Sequence, residues 1–112
     1  MISGLEEFVS ALELECPTFK NKITYRLWKK GAVPPLPYIV YYSRRSDNFA
    51  ADNKVYSKHE KVVVELYSHK KDLAKEATIE TFFENNNIVW EKTSEEYWEE
   101  ESLYEIVYEI EI

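Results

Sequence analysis

The side chains here with most capacity for acid–base, nucleophilic or zinc chemistry are two histidines and one cysteine. His59 and His69 stand ten residues apart, at the two ends of an expected strand, so they are not placed as a ligand pair. Neither falls in a zinc-type spacing with Cys16, which has no second cysteine to work with. Cys16 immediately precedes Pro17 and reads as the last residue of an apolar helical stripe rather than as a reactive thiol. Asp47-Asn48 and Asp52-Asn53 offer oxygen ligands, but they miss the alternation, central glycine and terminal Glu of a calcium loop, and read as hydrogen-bonded turns. Two isolated glycines, Gly4 and Gly31, exclude a phosphate loop, a dinucleotide fingerprint and a nucleophile elbow. No catalytic residue, metal or cofactor is expected.

What remains is recognition chemistry. The net charge of −7 argues against non-specific nucleic-acid binding, and its distribution is uneven. Residues 17–58 hold nine Lys and Arg against Asp47 and Asp52, whereas residues 76–112 hold twelve Glu against Lys92 alone. The stretch 95–101 places Tyr97 and Trp98 among Glu95, Glu96, Glu99, Glu100 and Glu101. It reads as a solvated hairpin tip or, since aromatics dominate contact energy at interfaces, as a partner anchor. Mimicry of DNA competes, weakened by the basic balance of residues 17–58. Lys20, Lys22, Arg26, Lys29 and Lys30, with Tyr25 and Trp28 interleaved, suit either a solvated strand face or charge-and-stacking contact with a single strand of nucleic acid. A third reading joins the two patches: opposite charges on separate surfaces suit a head-to-tail contact that repeats into a ring. The candidate interaction surface comprises Asp47, Asn48, Phe49, Asp52 and Asn53, then Tyr97, Trp98, Glu99, Glu100 and Glu101, with Arg26, Lys29 and Lys30.

The elements that must position these residues form one domain, 1–112, able to bury roughly two-thirds of its unfolded surface. A single cysteine suits a reducing interior, the first residues carry no basic leader, and no apolar run approaches the roughly 20 residues of a membrane span, so a cytoplasmic setting is expected. Ser3 and Glu6 match a capping box opening a helix over about 4–15, with Leu5, Phe8, Val9 and Leu12 as its stripe and Pro17 as its stop. Ile23 to Trp28 alternates as a strand. Pro34, Pro35 and Pro37 impose an extended connector. Tyr38 to Tyr42 reads as a buried strand, residues 46–53 as a polar loop, and Val62 to Tyr67 as a third strand starting near Val55. Asp72 caps a second helix to about Asn85, with Ile79, Phe82 and Phe83 as its packing stripe. Ile88 to Thr93 is a fourth strand. Leu103 to Ile112 closes the chain as a strand roughly 33 Å long, with Tyr104, Ile106, Tyr108, Ile110 and Ile112 facing the core and Glu105, Glu109 and Glu111 facing away. The order predicts an α+β fold: a predominantly antiparallel sheet of about five strands with both helices packed on one face.

Several stretches together resemble the small tail-terminator (tail-completion) proteins of long-tailed phages and prophages of Gram-positive bacteria. They are Pro35-Leu36-Pro37-Tyr38-Ile39-Val40-Tyr41-Tyr42, the segment from Ser46 to Tyr56, Val64-Glu65-Leu66-Tyr67 with Lys71-Asp72, and the ending from Tyr104 to Ile112. The resemblance implies a non-enzymatic virion part, a ring of six subunits on the head-proximal end of the tail tube. Such a ring stops tube polymerisation and prepares the tail for joining to the head. Its implied partners are further copies of itself, the tail-tube protein and a head–tail connector, with no membrane and no specific nucleic acid, in the host cytoplasm during assembly and then in the virion. The alternatives are a related head-completion protein or an acidic host-interaction or anti-defence module.

Overall fold

The computed structural model describes the backbone of residues 2, 4–51 and 54–112, with side chains described outside 45–59. The chain runs α1 (Leu5–Glu15), a 3-10 turn (Pro17–Phe19), β1 (Ile23–Tyr25), β2 (Tyr38–Ala51), β3 (Lys54–Ser68), α2 (Leu73–Asn85), β4 (Val89–Trp98), a 3-10 turn (Glu99–Glu101) and β5 (Leu103–Glu111). The strands form one sheet in the order β1-β2-β3-β5-β4. The fold is α+β and the sheet is antiparallel throughout except for β1, which pairs parallel to β2. That exception has a cause. Parallel neighbours need a crossover of about a dozen residues, and residues 26–37 supply it.

Both helices lie on one face of the sheet. Phe8 and Leu12 of α1 and Ile79, Phe82 and Phe83 of α2 are fully shielded against Ile39, Val62, Val64, Leu66, Ile106, Tyr108 and Ile110. The closing strand alternates as its sequence requires, with Ile106, Tyr108 and Ile110 buried and Tyr104 and Ile112 packed at the margin. Edge-to-face ring contacts knit the layers, Phe83 to Tyr108 at 5.5 Å and Phe8 to Phe82 at 5.9 Å. Cys16 is buried in the same cluster, where desolvation pushes its thiol pKa up and keeps it inert. Among the described residues no helix is long and apolar enough to cross a membrane.

Helix ends follow local chemistry. The Asp72 side chain accepts from the Lys75 backbone N–H at 3.1 Å and caps α2. α1 begins differently from the capping-box expectation: Gly4 stands at its N-cap with φ 107°, which glycine adopts freely, and among the described residues no side chain caps the helix. Ser3 lies outside the described residues.

Three strand boundaries also differ. β1 stops at Tyr25 instead of reaching Trp28, because Arg26 turns the chain at φ 69° and Leu27 N–H folds back onto the Tyr25 carbonyl at 2.9 Å. Residues 46–51, expected within a polar loop, are strand: β2 runs on to Ala51 and β3 begins at Lys54, pairing Asp47 with His59, Asn48 with Lys58 and Phe49 with Ser57. Past Glu60, which bonds Ile112, neither strand has another neighbour among the described residues. The ribbon therefore borders no sheet core, and the period-two pattern that marks a half-buried strand is not imposed on it. β4 likewise runs through Glu95, Glu96 and Tyr97 to Trp98, leaving only Glu99 to Ser102 for the turn, with Ser102 in the left-handed region at φ 51°.

Candidate interaction surface

The β2–β3 ribbon beyond Ser46 runs past the rest of the sheet. Asp47 to Ala51 and Lys54 to His59 pair only with each other among the described residues, so five residues of β2 extend about 17 Å past the sheet. Asp47, Asn48 and Phe49 lie on this arm; Asp52 and Asn53 fall outside the described residues. Register shifts between Ser43 and Arg45 and between Phe49 and Ala50 interrupt the β2–β3 ladder.

Tyr97, Trp98 and Glu99 to Glu101 occupy the opposite end. The β4–β5 turn lies beyond the Tyr104 to Ser68 pair, where β3 ends, whereas the arm leaves where β3 begins. The two stretches expected as joint contact points are therefore separated by the length of the sheet. Tyr97 and Trp98 remain 52% and 46% exposed, large areas for aromatics at the end of a strand.

Arg26, Lys29 and Lys30 gather at the third location, the β1 edge. The Arg26 guanidinium stacks on the rings of Tyr25 and Tyr42 at 5.5 and 5.4 Å and donates to the Ser43 carbonyl at 3.5 Å. Thr24 Oγ1 donates to the Leu27 carbonyl at 3.0 Å, closing the turn beneath it. Leu27 points out, 71% exposed.

The outward row of β5 is not a free negative surface. Glu109 accepts from Arg44 at 2.8 Å, Glu111 pairs with Lys61 at 3.3 Å, and Glu105 takes Tyr67 Oη at 2.7 Å and Trp98 Nε1 at 3.3 Å. Arg44 of the basic stretch 17–58, and Lys61 just beyond it, meet part of the acid of residues 76–112 within one molecule. Tyr67 Oη also lies 3.0 Å from Glu65 Oε1. Burial and the two carboxylates hold the Tyr67 phenol protonated far above the usual range, while desolvation pushes the Glu65 carboxyl up despite its hydrogen bond from Tyr67.

A second charged cluster was hidden in the sequence. Glu76, in the first turn of α2, is 3% exposed and accepts from Lys92 Nζ at 2.6 Å and Lys71 Nζ at 3.1 Å, both on Oε1. Lys71 Nζ also lies 3.0 Å from Oε2, though not aligned for a hydrogen bond, so that oxygen is held by charge alone. Lys92 pairs further with Glu80, which accepts from Tyr108 Oη at 2.7 Å, and Lys71 reaches Glu95. The cluster pins α2 to β4 and β5. Its one signal in the sequence is that Lys92 is the sole base among residues 76–112. His69 is exposed, and the side chain of His59 lies outside those described. Among the described residues no group of three or more His, Cys, Asp or Glu is placed to hold a metal ion.

The chain matches no protein-family model and no curated protein.

Proposed function

We propose that this chain is a structural subunit of phage assembly, a tail-terminator-like protein that caps the tail tube as a ring, ends tube polymerisation and prepares the tail for joining to the head. The observation that carries the reading is the β2–β3 arm. A two-stranded ribbon with both long edges open is marginal in water, so its backbone donors and acceptors favour a neighbouring protein surface. An element of this kind suits a subunit that works inside an assembly. The ordered resemblance of the stretches from Pro35 to Ile112 to tail terminators supplies the biological setting.

The experiment is reconstitution. Purified chain is added to tail-tube protein during polymerisation, and tube lengths and ends are read by negative-stain microscopy. The expected result is shorter tubes with a ring at one end. A chain that neither self-associates nor binds tube protein in pull-down refutes the function. A variant lacking residues 46–57, with the strands rejoined by a short turn, is expected to fold and to lose capping.

A further inference from the structure

We propose that copies of this chain join head to tail, the turn after β1 of one copy seating on the β4 edge and β4–β5 turn of the next. The contact names the partner surface for the ring proposed above and rests on that reading.

The strand order places the two surfaces at opposite edges of one sheet. Ion pairs close within the molecule along the outward row of β5 and around Glu76, but not at these two edges. Among the described residues Lys20, Lys22, Arg26, Lys29 and Lys30 make no ion pair, and neither do Glu91, Glu96, Glu99, Glu100 and Glu101. Four strand spacings, about 19 Å, separate the edges, more than two Debye lengths of about 8 Å, so one copy does not neutralise itself across its own sheet. A second copy does, by bringing its basic edge against the acidic one.

Each patch carries apolar anchors beside its charge. Leu27 and Tyr25 are exposed at the basic turn, Tyr97 and Trp98 at the acidic one, giving the centre of a contact something to desolvate. Arg26 is already immobilised by two rings and a left-handed backbone, so binding a carboxylate costs it little further freedom. β4 offers ten residues whose outer side has no strand partner among those described. Pairing β4 with its own copy about a two-fold axis sets acid against acid, because its one lysine is already bound to Glu76 and Glu80. A contact between unlike edges is heterologous, and a heterologous contact closes into a ring or runs on as a filament.

Sedimentation velocity with charge-swapped variants tests this. The wild-type chain is expected to associate, with an association constant falling roughly tenfold or more between about 50 and 300 mM salt. Glu99→Lys/Glu100→Lys/Glu101→Lys and Arg26→Glu/Lys29→Glu/Lys30→Glu are each expected to be monomeric alone with unchanged circular dichroism. Mixed in equal amounts they are expected to associate again, since each supplies the edge the other lacks. Three results overturn the contact: a wild-type chain monomeric across the salt range, a single variant that associates like wild type, or a mixture that stays monomeric. Capping of tubes by both variants would leave the function standing and remove only this contact.

Discussion

Replacing Glu76 by Gln keeps the shape of a 3% exposed side chain and removes its charge from between two lysines. Hydrogen bonds to charged groups are worth about 1.5–3 kcal/mol, and Glu76 takes two. The loss is smaller than their sum. Lys71 keeps Glu95, Lys92 keeps Glu80, and both lysines are about a third exposed (36% and 34%), so water compensates part of it. The net cost is about 2 kcal/mol, which for a domain this size lowers Tm by about 8–12 °C. Urea unfolding followed by circular dichroism is expected to show a lower midpoint with an unchanged slope. Most of the effect is expected to persist at about 1 M salt, because burial shields the carboxylate from screening ions. Glu96→Gln, an exposed carboxylate without an ion pair, is the control and is expected within about 0.5 kcal/mol of wild type. A cost for Glu76→Gln below about 0.5 kcal/mol, or one abolished by salt, refutes the view that this cluster fastens α2 to β4.

Glu65 yields a pH dependence of opposite sign to a salt-bridged acid. Desolvation first, and Glu105 after it, raise its folded pKa above 4.5, so between that value and the folded pKa the native state binds more protons than the unfolded chain. Stability contributed by this group therefore rises as pH falls through that window, and Glu65→Gln is expected to flatten that slope in urea unfolding between about pH 4.5 and 7. A slope unchanged by the substitution contradicts this account. At Arg26 the backbone sits at φ 69°, so Arg26→Gly is expected to leave stability within about 0.5 kcal/mol of wild type, relief of strain offsetting the lost ring stacking. Arg26→Ala keeps the strain and loses the stacking, and is expected to cost about 1 kcal/mol more than Arg26→Gly by thermal unfolding.

The α+β class, the helix stripes and the inward row of β5 were legible because burial writes a period into the sequence. Phe8 with Leu12, Ile79 with Phe82 and Phe83, and Ile106 with Tyr108 and Ile110 each occupy the face their spacing requires. Asp72 was legible for a different reason, since a cap needs only its own backbone a few residues on. The β2–β3 ribbon left no such mark. Its pairing comes from the backbone, and a strand that borders no core has no reason to alternate. β1 was read as three residues too long because one left-handed arginine ended it, which its alternation does not encode.

Charge was the hardest property to read in one dimension. The sequence divided it into a basic first half and an acidic second half, but folding set Arg44 against Glu109 and Lys61 against Glu111, and enclosed Glu76 between Lys71 and Lys92. Residue order alone determined that basic charge would be in excess over residues 17–58 and acidic charge over residues 76–112. Only the strand order, with β1 at one edge and β4 at the other, decided which of those charges cancel within the molecule and which are left facing outward, because Coulomb interactions depend on distance through space and not along the chain.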